Sequence, residues 1–464
     1  MIDLTKIINE TIPANCKIAL AVSGGADSIA LLHAVSLIAK PKNIDITVLH
    51  LNHCLRLDES DGDEQFCKLL SEQLGFDFKS ERIDVNKISV LNKLSIEEAA
   101  RFARYDFFEK HCISHNIKYV VTAHHADDQF ETILMHLMRG CGLNGLGGIA
   151  PQSQFAKTIL LRPLLNVTHS ELIEYCIANN LQWREDRTNI ENKYYRNRLR
   201  NQIIPELKQA ATNNFILLAG QTAQICRETS DFIRKISEKF IEKKTIKIMS
   251  GFCFDIAEFL REHITIQREI LRVLVFNITN KNLTFEIGNN IINQLQNNEK
   301  KINMQFNDTH KFYIYDNKFY FCKILKLSSQ NLKVNSNNIL EHGMSIEINE
   351  VNERGTAVSN NGELWENVIN GEAIEFIQYA NFPDAAKLSV KSREVGERYQ
   401  MLNSLERKIS DLMIDAKIPE IIKEIIPLVV CNDELVWLSG WRISEKFSVA
   451  NNQKIYQLKL KVKL

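Results

Sequence analysis

Residues 17–39 read KIALAV-SGGADS-IALLHAVSLIA. The run Lys17–Val22 is short and apolar, as expected of a buried strand, and Ile29–Ala39 has the length and apolar content of a packed helix. The six residues between them contain two adjacent glycines, so the chain can turn tightly from strand to helix. Loop amides and a helix N-terminus then point at one place, which predicts an anion-binding site.

The residue types in this turn fit phosphate groups in particular. Glycine allows the backbone to approach an anion closely, and the two serine hydroxyls can donate to phosphate oxygens. Asp27 can hold the Mg²⁺ ion that accompanies nucleotide phosphates. An ordinary glycine-rich turn is the alternative interpretation. We assign cofactor binding to the whole turn, which comprises Ser23, Gly24, Gly25, Ala26, Asp27 and Ser28.

Short apolar runs alternate with helical stretches from Lys17 to about Asn180, which predicts an α/β fold with a mainly parallel, Rossmann-like sheet. Ser95 and Glu98 have the spacing of a capping box and predict the start of one of these helices. The predicted strands are Lys17–Val22, Ile46–Asn52, Phe76–Ile83, Tyr119–Ala123 and Thr158–Arg162. The predicted helices between the strands include Asp61–Leu74, Ser95–His115 and Asp127–Met138.

The chain beyond Pro205 has a different pattern. Apolar residues recur there at helical spacing, and Lys311–Tyr315 and Lys318–Cys322 flank a turn and predict a hairpin. A Glu-rich stretch follows, and strand-like runs return near the C-terminus. The predicted divisions are an α/β domain at 1–210, a helical domain at 211–330, an acidic linker at 331–372 and a small α+β domain at 373–464.

The composition limits the class of protein. Of 464 residues, 45% are hydrophobic and 25% are charged, which excludes a mainly disordered chain. The 57 Lys and Arg balance the 57 Asp and Glu, so a polyanion must be held by a local basic surface. Neither a signal-peptide pattern nor a run of about 18 apolar residues is present, so we expect a cytoplasmic protein without membrane contact. The ten cysteines lack a C-x-x-C pair and are interpreted as reduced thiols.

A second polar cluster, residues 124–132, reads HHADDQFET and starts where the fourth predicted strand ends. Ligands bind at that edge of an open α/β sheet. Asp127 and Glu131 are four residues apart, as are Asp128 and Thr132, so two carboxylates are expected on one helix face, facing a metal, an amine or a ribose. A zinc site and a solvated acidic helix start are the alternatives; no third His or Cys at ligand spacing supports zinc.

Basic residues occur in two further places. The second predicted strand ends in HLNHCLR, where His53 and Arg56 are candidates for the phosphate site. Residues 183–200 interleave arginines with Trp183, Tyr194 and Tyr195, and arginine forks with aromatic faces suit an RNA surface. A solvated charged helix is the alternative for this segment.

Taken together, these stretches resemble the tRNA(Ile)-lysidine synthetase family of the PP-loop ATP pyrophosphatase superfamily over nearly the whole chain. The S-G-G-x-D-S loop identifies the superfamily, and H-H-x-D-D-Q-x-E-T narrows it to the family. The other matching motifs are H-x-N-H-x-L-R at 50–56, E-A-A-R-x-x-R-Y at 98–105, R-G-x-G at 139–142, W-x-x-D-x-x-N at 183–189 and R-N-x-L-R at 196–200.

The resemblance implies an enzyme that uses ATP and Mg²⁺ to adenylate the wobble cytidine of the CAU-anticodon isoleucine tRNA, after which L-lysine displaces AMP. It makes 1–210 the catalytic domain and the helical and C-terminal domains tRNA-binding, and it leaves a homodimer open. The implied catalytic residues are Asp27, Asp128, Glu131 and Arg104, with Asp27 and Asp127 as metal ligands. The implied substrate and tRNA contacts are Arg101, Arg139, Asp186, Asn189, Arg196, Asn197, Arg200 and Arg393.

Other functions compete with this one. Amidating enzymes of the superfamily carry a glutaminase domain, which the sequence does not suggest. A PP-loop tRNA thiolase typically needs paired reactive cysteines, and those here are scattered. A non-catalytic RNA-binding module would not need a phosphate loop together with carboxylates that suit Mg²⁺.

Overall fold

The computed structural model describes residues 2–54, 58–155, 157–184, 195–211, 214–248, 251–297, 303–359, 362–369, 372–383, 387–449 and 454–463. The chain divides into two compact units, Met1–Asp231 and Phe232–Leu464. All ten cysteines are free thiols, as expected. Within the described ranges, no helix is both long enough and apolar enough to cross a membrane.

The first unit is built on one sheet with strand order β3-β2-β1-β4-β6-β5. Its strands run parallel except β5, which pairs antiparallel with β6 at one edge. The strands are β1 Cys16–Ala21, β2 Ile44–Asn52, β3 Asp77–Arg82, β4 Tyr119–Val121, β5 Gln152–Phe155 and β6 Thr158–Leu161.

Helices join these strands and enclose the sheet in apolar side chains. They are α1 Leu4–Thr11, α2 Ala26–Ala39, α3 Asp58–Gln73, α4 Val85–Asn92, α5 Ile96–His115, α6 Ala126–Met138, α7 Leu143–Leu146 and α8 His169–Ala178. One core cluster joins α1, α2 and α8 to the sheet, and a second joins α5 to residues such as Ala19 and Leu160. Apolar packing of this kind fixes where the strand ends lie, and the site is built at those ends.

The sequence-based expectations for this unit are confirmed in class and in strand positions. All five predicted strands exist, and the capping box at Ser95 is formed, since Ser95 and Glu98 each accept the other's backbone amide. The strand β5 was not predicted, because Gln152–Phe155 is short and mostly polar and depends on pairing with β6.

The unit ends in helices that lead toward the second unit. Tyr195–Arg198 (α9) continues through a π-helical turn, Leu199–Ile203, into α10, Ile204–Ala210. The long helix α11 spans Phe215–Lys244. A π-turn adds one residue to the helical repeat and so changes the direction in which the following side chains point.

The second unit begins with helices packed on a sheet of order β7-β8-β11-β10-β9. The predicted hairpin is present, with Asp316 and Asn317 at positive φ in its turn. Its helices are α12 Ile256–Leu260, α13 Ile264–Thr279 and α14 Phe285–Gln296. Its strands are β7 Thr245–Ile248, β8 Gly251–Asp255, β9 Asn303–Asn307, β10 His310–Tyr315 and β11 Lys318–Lys323. The helices fit the helical stretches predicted in 211–330, but the extent of the sheet was not predicted.

Two four-stranded sheets complete the second unit, with orders β12-β16-β19-β20 and β13-β14-β21-β15, together with the small pair β17-β18. Their strands are β12 Gln330–Asn331, β13 Ser336–Ile339, β14 Met344–Val351, β15 Ile374–Ala380, β16 Leu388–Lys391, β17 Arg398–Tyr399, β18 Arg407–Lys408, β19 Leu428–Cys431, β20 Glu434–Leu438 and β21 Ile455–Val462. Short helices, α15 Trp365–Ile369 and α16 Ile409–Asp415, accompany them.

The interpretation of 331–372 as an acidic linker does not fit this structure. Strand β14 lies inside that stretch and pairs along its length with β21 near the C-terminus. The many glutamates suggested a linker, but they alternate with buried residues as in a strand: Glu347 lies between Ile346 and Ile348, which are fully buried. Its carboxylate pairs with Lys461 Nζ at 2.7 Å on the neighbouring strand.

Candidate active site

The phosphate loop lies between β1 and α2 and is organised by one serine. The amides of Ser23 and Gly24 donate to Ser28 Oγ at 3.2 and 3.1 Å, and this hydroxyl donates to the Gly25 carbonyl at 2.9 Å. Gly24 has φ +95°, a conformation that favours glycine. Hydrogen bonds within the loop therefore contribute to its closed shape, which suits an anion site at a helix N-terminus.

Asp27, in the first turn of α2, meets two histidines from other elements. His169 Nδ1, at the start of α8, lies 2.8 Å from Asp27 Oδ1, and His125 Nε2, at the start of α6, lies 3.5 Å from Oδ2. Burial alone would raise the pKa of Asp27, but the hydrogen bonds and charges of the two histidines outweigh it and hold that pKa well below its usual range. Asp27 is therefore ionised.

His125 lies among three carboxylates. Its Nε2 is 3.4 Å from Asp128 Oδ2 as well as near Asp27, and its Nδ1 is 3.6 Å from Asp127 Oδ2. Burial would lower the pKa of His125, but hydrogen bonds to Asp127 and Asp27 and the charge of Asp128 raise it to about 10. The imidazole also lies at the N-cap of α6, where its Nδ1 is 3.2 Å from the Asp127 amide nitrogen.

Asp127 is fixed from three sides. The His169 amide donates to Asp127 Oδ2 at 2.8 Å, and Lys208 Nζ of α10 lies 3.5 Å from Oδ1. Burial opposes ionisation of Asp127, yet the bonds from His125 and His169 and the charge of Lys208 hold its pKa below the usual range. His169 therefore orients both Asp27 and Asp127, which come from different helices.

Asp128, which also lies near His125, forms a second group with Glu131 and two arginines. Arg196 donates to Glu131 Oε2 at 2.6 Å and to Asp128 Oδ1 at 2.9 Å. Arg200 donates to Glu131 Oε1 at 2.6 Å and to Asp128 Oδ1 at 3.2 Å. Both carboxylates are buried or nearly so, whereas the arginines are about one third exposed or more. We call Asp128, Glu131, Arg196 and Arg200 the four-charge cluster.

The expected pairing of side chains four residues apart on α6 is wrong. Asp127 contacts His125 and the His169 amide, while Asp128 shares its arginines with Glu131, three residues further along the helix. Thr132 Oγ1 donates to the Asp128 carbonyl instead of pairing with its carboxylate. Asp127 and Asp128 are consecutive residues in the first turn of α6, so their side chains point in different directions and contact different partners.

The other predicted site residues of the first unit lie in several places. Arg104 is close enough to Asp128 and Arg196 to interact with both electrostatically, whereas the guanidinium of Arg101 stacks over Tyr105 at 4.8 Å. Arg139 caps the C-terminus of α6. His53 directly follows β2, and Asn197 lies in α9 next to Arg196. Arg56, Asp186 and Asn189 lie outside the described residues.

Basic side chains of the C-terminal part are paired with acids. Arg393, predicted to contact tRNA, donates to Glu424 at 2.6 Å. Three other cations in this part of the chain are paired as well: Lys391 with Glu397 at 3.0 Å, Arg398 with Glu406 at 2.8 Å and Arg407 with Asp415 at 2.5 Å. The neighbouring carboxylate weakens the attraction of each of these cations for a phosphate group.

Two residues of the site were not identified from sequence, His169 and Lys208. His169 follows Thr168, which forms a capping box with Glu171 at the start of α8. A helix start soon after a parallel strand was the available signal, since it lies at the edge of the sheet where ligands bind. Sequence spacing could not reveal His169 as a neighbour of His125, because the two histidines are far apart in the chain although their ring centroids lie 5.5 Å apart.

Ligand atoms of Asp27, His125 and His169 lie within 4.8 Å of one another and could surround a cation. The carboxylates of Asp27 and Asp127 are the groups that fit Mg²⁺, which prefers oxygen ligands and is usually bound by one or two carboxylates plus phosphates. Both are ionised and oriented by His169, so the oxygen donors suit this ion.

Comparison with known proteins decides the family. Residues 2–207 match the PP-loop domain, and residues 388–460 match the TilS substrate C-terminal domain. A tRNA(Ile)-lysidine synthase from Clostridium tetani is 30% identical over 468 residues, covering 96% of this chain and 94% of the relative. The chain belongs to the tRNA(Ile)-lysidine synthase family. A tRNA(Ile)-lysidine synthase from Clostridium acetobutylicum is also 30% identical and covers 97% of each chain.

Membership of the tRNA(Ile)-lysidine synthase family confirms the resemblance drawn from the motifs. The PP-loop match covers the phosphate loop, α6 and the four-charge cluster. Among solved structures, a crystal structure of the TILS C-terminal domain aligns with 30% of this chain and 98% of its own length, at 20% identity and a TM-score of 0.24.

Proposed function

We propose that this chain is a tRNA(Ile)-lysidine synthetase, a ligase that joins L-lysine to carbon two of the wobble cytidine of the CAU-anticodon isoleucine tRNA. ATP first adenylates the oxygen at that carbon and releases pyrophosphate, and the lysine ε-amine then displaces AMP. The observation that carries the proposal is the meeting of a phosphate loop with the carboxylates of α6 at one edge of the sheet, in a chain of this family.

The ATP side of the reaction belongs to the loop and Asp27. The Gly25 amide and the N-terminus of α2 are the donors for the departing pyrophosphate, in the manner of an oxyanion site. Asp27 and Asp127 would hold Mg²⁺, which, when bound, neutralises charge on the phosphates. Treatment with EDTA should stop pyrophosphate release, and added Mg²⁺ should restore it; restoration by Zn²⁺ but not by Mg²⁺ would contradict this assignment.

The lysine side of the reaction suits the four-charge cluster. Free lysine carries a carboxylate and two ammonium groups, and the cluster offers carboxylates and guanidiniums within a few ångströms of one another. Attack on the adenylated carbon requires an uncharged ε-amine, so a carboxylate must accept a proton. We assign this role to Asp128 or Glu131, with Arg104 nearby to stabilise negative charge.

The tRNA side extends beyond the first unit. A cytidine alone offers few contacts, so discrimination between the isoleucine and methionine tRNAs, which share a CAU anticodon, must use parts of the tRNA far from that base. We assign these contacts to Arg101 and Arg139 of the first unit and to the second unit, which contains the TilS substrate C-terminal domain.

The direct test is mass spectrometry of nucleosides from tRNA(Ile) after incubation with the purified protein, ATP and L-lysine. The proposal expects a nucleoside with the mass of cytidine plus lysine minus water. The product should require both ATP and lysine. A sulfur-containing nucleoside would indicate a thiolase instead, and tRNA binding without ATP consumption would indicate a non-catalytic module.

A further inference from the structure

We propose that Arg184 is a positioning residue that holds the phosphate loop in its anion-binding shape by joining it to α3. The inference rests on the proposed function only in taking this loop as the ATP phosphate site. Arg184 follows α8 and lies outside both groups of carboxylates described above.

The contacts of Arg184 link three segments that are distant in sequence. Its amide donates to the Gly24 carbonyl at 3.0 Å. Its Nε donates to Asp63 Oδ1 on α3 at 3.0 Å, and the Asp63 side chain is only 13% exposed. One residue therefore binds the loop with its backbone and α3 with its side chain.

The bond to Gly24 has a directional effect on the loop. The peptide group between Gly24 and Gly25 is planar and trans, so its carbonyl and its amide point in opposite directions. Holding the Gly24 carbonyl toward Arg184 therefore aims the Gly25 amide the other way. That amide makes only a long contact of 3.5 Å with Ser23 Oγ, so it remains suited to donate to a phosphate.

Packing beneath the loop supports the same role. A Cβ added to Gly24 would lie 3.4 Å from Cys67 Sγ, 3.8 Å from Phe66 Cδ1 and 3.9 Å from Arg184 Cγ. Burial, with the charges of Asp63 and Glu64, raises the pKa of the Cys67 thiol to about 12, so this contact is neutral. The loop at Gly24 therefore packs against Phe66 and Cys67 of α3 and against the side chain of Arg184.

Gly62 leaves room for the guanidinium on α3. A Cβ at that position would lie 3.0 Å from Arg184 Nη2, so the fork lies directly against the helix backbone. The side chain is 47% exposed, and water therefore weakens its ion pair with Asp63. Its effect should consequently appear as an altered loop and not as a collapse of the fold.

The test measures binding of a non-hydrolysable ATP analogue by calorimetry in the full-length protein. Arg184→Ala should raise the Kd about threefold to fivefold, the upper range for a solvent-screened ion pair. Arg184→Lys, which keeps a charge within reach of Asp63, should recover part of the affinity. The KM for lysine should not change. Arg82→Ala is the matched control, since Arg82 pairs with Asp61 and Glu64 of the same helix and should leave the Kd unchanged.

A double-mutant cycle with Asp63→Asn provides the second arm. If Arg184 acts through Asp63, the double variant should bind the analogue no more weakly than Arg184→Ala alone. Wild-type affinity in a folded Arg184→Ala protein, or fully additive losses in the cycle, would overturn the positioning role. Failure of the unmodified protein to bind the analogue would instead overturn the proposed function.

Discussion

Asp27 connects the phosphate loop to the polar side chains at the starts of α6 and α8. It lies in the first turn of α2, and both of its oxygens face histidines from other helices. A buried carboxylate would ordinarily favour its neutral form, but these partners keep it charged. The charge of Asp27 is therefore a product of tertiary structure, although its position is set by the local turn.

Replacing Asp27 with alanine should leave the fold intact and abolish adenylation. The substitution removes the carboxylate proposed to hold Mg²⁺ without opening the apolar core, and loss of one such contact typically costs about 10²–10³ in rate. Pyrophosphate release in the presence of tRNA is the measurement. Asp45→Ala is the control, because Asp45 pairs with Lys17 on the surface. Near-normal release by folded Asp27→Ala would show that the loop is not the phosphate site.

Arg200 tests how the four-charge cluster is used. The sequence predicted that Arg196 and Arg200 bind tRNA phosphates, but each already neutralises Asp128 and Glu131. We therefore expect Arg200→Ala to raise the KM for lysine about tenfold or more. The KM for ATP should remain unchanged, and the protein should stay folded because Arg196 still holds both carboxylates.

The salt dependence of tRNA binding distinguishes the two roles of Arg200. A phosphate contact would lower the slope of affinity against salt by about one when it is removed. A role within the cluster predicts an unchanged slope. Arg198→Ala, an exposed arginine between the two, serves as the control. A reduced slope with a normal KM for lysine would restore the original RNA-binding interpretation.

At the scale of elements, the glycine-rich loop after α6 is what holds that helix in place. Gln129 is buried on α6, accepts the Ile149 amide at 2.5 Å and donates to the Ile149 carbonyl at 3.2 Å. Arg227 of α11 donates to the carbonyls of Gly147 and Ile149. Helix α6, which carries Asp127, Asp128 and Glu131, is therefore bonded to this loop through Gln129. The loop is bonded in turn to α11 through Arg227.

Gly148→Ala should disturb this arrangement more than Gly140→Ala. Both glycines have positive φ, so alanine costs about 1–2 kcal/mol of backbone strain at either position. Only at Gly148 would the new Cβ collide with Gln129, 2.9 Å from its Cδ, which adds about 1–3 kcal/mol of overpacking. Denaturant unfolding of the two variants is the measurement. Equal losses would show that Gln129 can move without cost.

The sequence predicted those parts of the molecule that depend on local patterns. Apolar runs located the five strands, and the phosphate loop at 23–28 could be predicted because its binding groups lie in six consecutive residues. The contacts of His169 and of the four-charge cluster could not be found in this way. Arg196 and Glu131 are 65 residues apart in the chain, and only the tertiary fold brings them together.

At the scale of the whole molecule, residues on both sides of the predicted boundary at 330 share a core. One cluster includes Cys253, Tyr320 and Leu325, and it continues into Ile346 and Leu458 of the last sheets. A division at 331 would cut this cluster and expose its apolar side chains. The compact units divide instead after Asp231, so that position is the better place for a truncation that tests whether tRNA selection needs the second unit.

Truncation after Asp231 should leave a protein that binds ATP but modifies its tRNA poorly, or no longer prefers the isoleucine over the methionine tRNA. The fragment keeps the phosphate loop, the four-charge cluster and Arg227, whereas it loses the TilS substrate C-terminal domain at 388–460. Calorimetry with an ATP analogue and nucleoside analysis of both tRNAs are the measurements. Truncation after Asn331 is the comparison and should aggregate, because it exposes Tyr320 and Leu325. Full activity with full discrimination in the 1–231 fragment would mean that the first unit reads the tRNA by itself.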